Sequence, residues 1–243
     1  MTTRSFSRPL LAAALCGALT IGLTGATATA TPESFEGAGA RGDGASGIGD
    51  PYWPLDGNGG IDVASYAISN RYAFDTKRLS GRTKVRLTAT ADLSSFSLDF
   101  LLRVSEVTVD GAEADFTRTD GGHELRITPA TPLAAGTEHT VVVAYADRPA
   151  RRSYAGESNW LASKREVVTM NEPHMAPWWF PANDHPSDKA AMDVRITVPR
   201  GFKVLSNGLP VGRRVRGAVA TSHGSPSWLP LAMSNRPAAK NAR

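Results

Sequence analysis

The stretch Thr169 to Ala190 reads TMNEPHMAPWWFPANDHPSDKA. It gathers two histidines (His174, His185), three acids (Glu172, Asp184, Asp188), adjacent tryptophans (Trp178, Trp179), Phe180 and four prolines. Neither a helical nor a strand period runs through it. His174, Asp184 and His185 could approach one metal ion on a folded loop. However, Pro186 confines His185 and no neighbouring base is placed to activate water, so no zinc site is expected there.

Residues of this kind need a rigid support. From Gly60 onward the chain runs in short segments rich in Val, Ile, Thr, Tyr and Phe, separated by turn signals. Strands are expected at GIDVASYAISNRYAF, TKVRLTATA, SSFSLDFL, VSEVTVDG, ADFTRT, HELRITP, EHTVVVAYA and MDVRITV. Turns are expected at Ser80-Gly81, Asp110-Gly111 and Asp120-Gly121-Gly122. Val85, Leu87 and Ala89 alternate with Arg86, Thr88 and Thr90, which suits a strand with one wet face. No helical stripe of about 11 residues occurs, so the fold class is all-β, an antiparallel sandwich or pair of stacked sheets. The segment VVTMNEP reads as a strand ending at Pro173, followed by a long proline-stiffened loop.

The ends differ from this body. Arg4 and Arg8 precede the apolar run LLAAALCGALTIGL and the small residues Ala28-Thr29-Ala30. This is the layout of a secretory signal peptide cleaved after Ala30, with Ala28 the next choice. Such cleavage would remove Cys16, the only cysteine, and with it any disulfide or cysteine metal site. Residues 31–51 are rich in Gly and Ala and read as a flexible leader. Residues 212–243 hold six Lys or Arg and no acid, and lose the period-two pattern. They read as an irregular basic tail, of the kind a frame change or premature stop would produce. Residues 31–211 carry 19 basic against all 23 acidic residues, a net of −4. Nucleic-acid binding by a basic face is therefore not expected of the body. No apolar run beyond the first approaches the ~18 residues of a membrane span.

The segment EVVTMNEPHMAPWWFPANDHPSDKAAMDVRITVPRGFKVLSNG resembles the N-terminal domain of the aminopeptidase N family of zinc metallopeptidases. The resemblance rests on Glu172 in a Q-x-E-like motif, on F-P-x-x-D-x-P-x-x-K-A at Phe180, Pro181, Asp184, Pro186, Lys189 and Ala190, and on Ser206-Asn207-Gly208. It covers residues 52–211. It implies a saddle-like β domain that packs on a thermolysin-like catalytic domain, with Glu172 binding the α-amine of a peptide substrate. Met170 stands where the family often has Gln. Asp184 is expected to cap the backbone of its own loop and Lys189 to pair with an acid. Trp178, Trp179 and Phe180 are expected to pack at the seam with the catalytic domain.

The family's zinc chemistry needs H-E-x-x-H on a helix. Of His123, His139, His174, His185 and His223, only His123 precedes a glutamate, and the fifth position of HELRI is Ile127. No zinc and no catalytic residue are therefore expected within these 243 residues, zinc belonging to the complete family enzyme. A peptide N-terminus becomes a partner only with the catalytic domain in place. The alternative reading is a secreted β-sandwich binding module that presents Trp160, Trp178 and Trp179 to carbohydrate or protein.

Overall fold

The computed structural model describes residues 42–119, 122–169, 175–206, 209–225 and 231–234. The large sheet contains β1 (Ile61–Ala73), β2 (Arg78–Ala89), β4 (Val104–Val109), β5 (Ala112–Glu113), β8 (Glu138–Asp147), β11 (Ala191–Pro199), β13 (Leu209–Arg216) and β14 (Val219–Ser225). Their order is β13-β14-β11-β1-β2-β8-β4-β5. A three-stranded sheet is ordered β3-β7-β6, from β3 (Phe96–Asp99), β6 (Asp115–Thr119) and β7 (Glu124–Thr128). A four-stranded sheet is ordered β12-β15-β10-β9, from β9 (Leu161–Ala162), β10 (Glu166–Thr169), β12 (Lys203–Ser206) and β15 (Leu231–Ser234). Pairing is antiparallel throughout except between β1 and β11, which run parallel with Ile68 opposite Val194.

Alternation explains which faces meet. In β2, Val85, Leu87 and Ala89 are buried while Lys84 and Arg86 face out. In β1, Ile61 and Val63 point inward, then Tyr66, Ile68, Asn70 and Tyr72 do so, an apparent break of phase. A bulge between Val63 and Ser65 supplies the extra residue that turns the second half of the strand back to the core. The β4–β5 turn uses Asp110 and Gly111, both at positive φ (51° and 85°), as its DG sequence predicts.

Three expectations are corrected. Gly81 is not a turn residue but lies within β2, opposite Asn70 on one side and Tyr145 on the other. A Cβ there would fall 1.8 Å from Asn70 Oδ1 and 2.6 Å from the Tyr145 ring, so glycine makes room for those side chains. The leader is fastened earlier than residue 52. Asp43 accepts hydrogen bonds from Ser94 and Ser95 hydroxyls (2.8 and 2.7 Å) and pairs with Arg126, and the Gly44 N–H donates to Ser95 O at 2.8 Å. Those bonds hold the Asp43 carboxyl below the usual carboxylate range. Finally, residues 212–225 are not irregular: β13 and β14 form a hairpin turning at Gly217, and β15 follows. All eight residues of β13 are exposed, so the strand leaves no alternating apolar trace in its sequence. Residues 1–41, the expected signal peptide included, lie outside the described residues.

Candidate functional site

The loop from Met175 to Ala190 is built onto the large sheet by its aromatic residues. A single 3-10 turn, Ala176–Trp178, starts it. Trp178, Trp179 and Phe180 are then wholly buried. Trp178 Nε1 donates to Arg152 O at 3.0 Å. The carbonyl of Trp179 accepts from Asn70 Nδ2 (2.9 Å) and from the Tyr145 hydroxyl (3.0 Å). Tyr145 also donates to Asn70 Oδ1 at 2.7 Å and lies 3.0 Å from Thr83 Oγ1. Burial pushes the Tyr145 hydroxyl above the usual phenol range, so it stays a donor. Phe180 meets the Tyr66 ring edge-on at 5.5 Å. These contacts place the aromatics in this domain's own core rather than at a seam with another domain. Trp160 is buried as well, so none of the three tryptophans presents a face on which a sugar could stack.

The polar half of the loop is held by residues that the motif does not contain. Asn183 donates its N–H to the Tyr66 hydroxyl (2.8 Å) and its side-chain amide to Asp188, and its Oδ1 accepts the Asn58 N–H at 2.5 Å. Asp188 in turn accepts the Val63 N–H at 3.1 Å. Asp99, at the end of β3, exchanges backbone hydrogen bonds with Ala182, and its Oδ2 accepts the Asp184 N–H at 2.7 Å and Asn58 Nδ2 at 3.1 Å. Burial pushes both Asp188 and Asp99 above the usual carboxylate range, with Glu124 and Asp184 adding to the effect at Asp99.

The predicted site residues fall into three groups. Asp184 Oδ2 accepts the Met175 N–H at 3.4 Å, a long bond that closes its own loop. Pro181 is buried with Phe180, and Pro186 is exposed at the tip. Lys189 is exposed and pairs with no acid among the described residues. Glu172, His174 and Met170 lie outside the described residues, three positions or fewer from buried Thr169 or from Met175. His185 pairs with Asp50 at 3.5 Å rather than joining a metal-ligand group with Asp184.

The residues present do not fit a zinc of the H-E-x-x-H kind. Glu124 opens a strand, with His123 in the turn just before it and no helix there, and Ile127 is buried in the core. Asp99, Asn58, Asn183 and Asp188 were not anticipated as loop supports. The one available signal is an aspartate inside the apolar run FSLDFLL, where a buried acid must find donors.

The structure is thus an all-β domain of three sheets with a proline-rich loop clamped between β10 and β11. The chain belongs to the Peptidase M1 N-terminal domain family, whose sequence profile matches residues 63–219. Among solved structures it is similar to a point mutant of an M1 zinc metallopeptidase from Deinococcus radiodurans bound to a Tyr-Ser-Ala substrate. The two share 27% identity at a TM-score of 0.68 over 77% of this chain and 45% of that one. A two-domain M1 zinc metallopeptidase mutant bound to L-tryptophan gives 26% identity and the same TM-score, over 77% of this chain and 46% of that one. This chain therefore spans less than half the length of the structures it matches. No curated protein matches the sequence significantly. Among the described residues no helix is long and apolar enough to cross a membrane.

Proposed function

We propose that this chain is the substrate-amine-side N-terminal domain of a secreted M1-type zinc aminopeptidase, with Glu172 as the carboxylate that receives the peptide's α-ammonium group. The observation that carries the reading is the clamp. The family loop that follows Glu172 is anchored by Trp179, Asn183 and Asp184 to β1, β3 and β8. Thr169 is buried in β10 and the loop from Met175 is fastened to the sheet, so the described residues that flank Glu172 in the sequence offer the rigid support that a binding group on a loop needs. The ligands of the similar structures, Tyr-Ser-Ala and L-tryptophan, each carry a free α-amine, which suits recognition by an acid. Secretion is supported by the signal-peptide layout of residues 1–30.

These 243 residues contain no H-E-x-x-H, so by themselves they are expected not to cleave aminoacyl chromogenic substrates. The decisive test joins the chain to the family's catalytic domain and compares peptides with free and acetylated N-termini. Glu172→Ala should weaken the preference for the free amine by about 1.5–3 kcal/mol, the range for hydrogen bonds to charged groups. An active chimera whose preference survives that substitution would return Glu172 to a structural role.

A further inference from the structure

A second group of ionisable residues stands at the base of the loop. Asp99 ends β3 and Glu124 begins β7, and the two are directly opposite in antiparallel register, so their side chains leave the sheet on one face. His123 precedes Glu124, and its ring lies flat against Tyr154, with centroids 3.7 Å apart and planes 5° from parallel. All three residues are at most 1% exposed. His123 Nε2 is 3.5 Å from Asp99 Oδ1, and His123 Nδ1 is 3.3 Å from Glu124 Oε1. Both separations exceed the ordinary range of a hydrogen bond, and neither Asp99 Oδ1 nor His123 Nδ1 has a hydrogen-bond partner. Asp99 has spent its other oxygen on Asp184 N–H and Asn58. No lysine or arginine among the described residues pairs with Asp99.

Buried charges persist when they are paired or coordinate a metal. One donor atom from each of Asp99, His123 and Glu124 can be chosen so that all lie within 4.8 Å of one another. Nitrogen and oxygen donors held ~2.0–2.2 Å from a tetrahedral zinc stand about 3.3–3.6 Å from each other, a separation that each carboxylate already has from one ring nitrogen; because the two carboxylates approach different nitrogens, an ion on one nitrogen draws in the other carboxylate from within 4.8 Å. We propose that Asp99, His123 and Glu124 form a buried divalent-cation site, with zinc the ion that its imidazole and carboxylate donors favour, tying β3 to β7 beneath the family loop. The imidazole gives the ion one nitrogen, and stacking on Tyr154 fixes the plane in which that nitrogen points. Full burial leaves no room for a substrate, so the ion's role is structural. The Asp99 carboxylate then carries both the metal and the Asp184 N–H, which couples the ion to the fastening of the loop. This inference stands apart from the role given to Glu172.

The experiment uses the full chain, loaded with zinc and dialysed against metal-free buffer. About one zinc ion per chain should remain, and chelation should lower the melting temperature. His123→Gln and Asp99→Asn should each abolish retention. Because Asp99→Asn also alters the loop clamp, cobalt substitution of the unmodified protein provides a readout independent of any variant. A visible ligand-field band of nitrogen and oxygen ligation should appear and be displaced by one equivalent of zinc. Retention well below one equivalent, with a melting temperature indifferent to zinc and chelator, would overturn the proposal in favour of a metal-free His123 ring packed between two carboxylates. Unchanged retention in a folded His123→Gln would also overturn it, placing the metal on His139–Asp110, His185–Asp50 or His223–Asp193, the more exposed pairs.

Discussion

The loop 175–190 and the hairpin 209–225 are opposites that look alike in sequence, since neither carries an alternating apolar pattern. The loop has almost no regular secondary structure, yet three consecutive aromatic side chains are wholly buried and its backbone is clamped by Asn70, Tyr145, Tyr66 and Asp99. The hairpin has a continuous ladder between β13 and β14, yet every residue of β13 is exposed. Backbone regularity and burial are separate quantities here. Apolar periodicity reports burial, and a strand that buries nothing is silent to it.

The contrast is sharpest at the tryptophans. Trp179→Ala should destabilise the domain by about 3–5 kcal/mol, the cost of emptying a buried aromatic site. Trp53, 40% exposed in the same chain, should cost clearly less than Trp179 when truncated. Urea unfolding of both variants measures the difference. A Trp179→Ala loss below about 1 kcal/mol would mean that the loop rides on the sheet without being part of its core.

The clamp also depends on what is absent from β2. Gly81→Ala drives a methyl group into Asn70 and Tyr145, whose side chains hold the Trp179 carbonyl. Overpacking of this kind should cost about 1–3 kcal/mol. Adding Asn70→Ala should recover part of that loss, because the clash and the hydrogen bond share one side chain. Strict additivity in thermal unfolding would break the link between Gly81 and the clamp.

Gly81 also shows where the sequence stopped being informative. The strands with one buried face were legible, as Val85, Leu87 and Ala89 illustrate, because their period follows from the pleat. Ser80-Gly81 carries the same local signal as a turn, and only the neighbours across the sheet, Asn70 and Tyr145, reveal that the missing side chain is what matters. The loop motif was legible as a unit through Phe180, Pro181 and Asp184. Its supports were not, since Asp99 and Asn58 lie 85 and 125 residues from the groups they hold, Asp184 N–H and Asn183. Nothing local in a single sequence encodes such a pairing.

Between these extremes lies Asp147, at the end of β8 beside the segment that receives Trp178. Burial opposes its ionisation, but the Arg148 N–H (2.7 Å), Arg152 and the Arg103 N–H (2.9 Å) outweigh it and hold the carboxyl below the usual carboxylate range. The folded state thus binds this proton less readily than the unfolded chain. Its stabilisation is complete above the unfolded aspartate value of about 4 and is lost as pH falls through the lower folded value. Asp147→Asn should cost about 1–2 kcal/mol at neutral pH, discounted for solvent screening, and progressively less below pH ~4. A penalty that stays constant down to the acid transition would remove Asp147 from the loop's supports.

The smallest effect is expected where the chain is most regular. Leu209, Val211 and Val215 of β13 are 78%, 58% and 42% exposed, so truncation removes little apolar surface from the folded core. The β13–β14 ladder is made by backbone groups that an alanine keeps. Val215→Ala should therefore shift stability by no more than about 0.5 kcal/mol, against several for Trp179→Ala in the same unfolding assay. The direction should be slightly unfavourable, since a β-branched residue fits a strand better than alanine does. A loss of about 2 kcal/mol or more would show that Val215 is covered in solution, and the hairpin would then have to be regarded as one side of a contact rather than as a free edge.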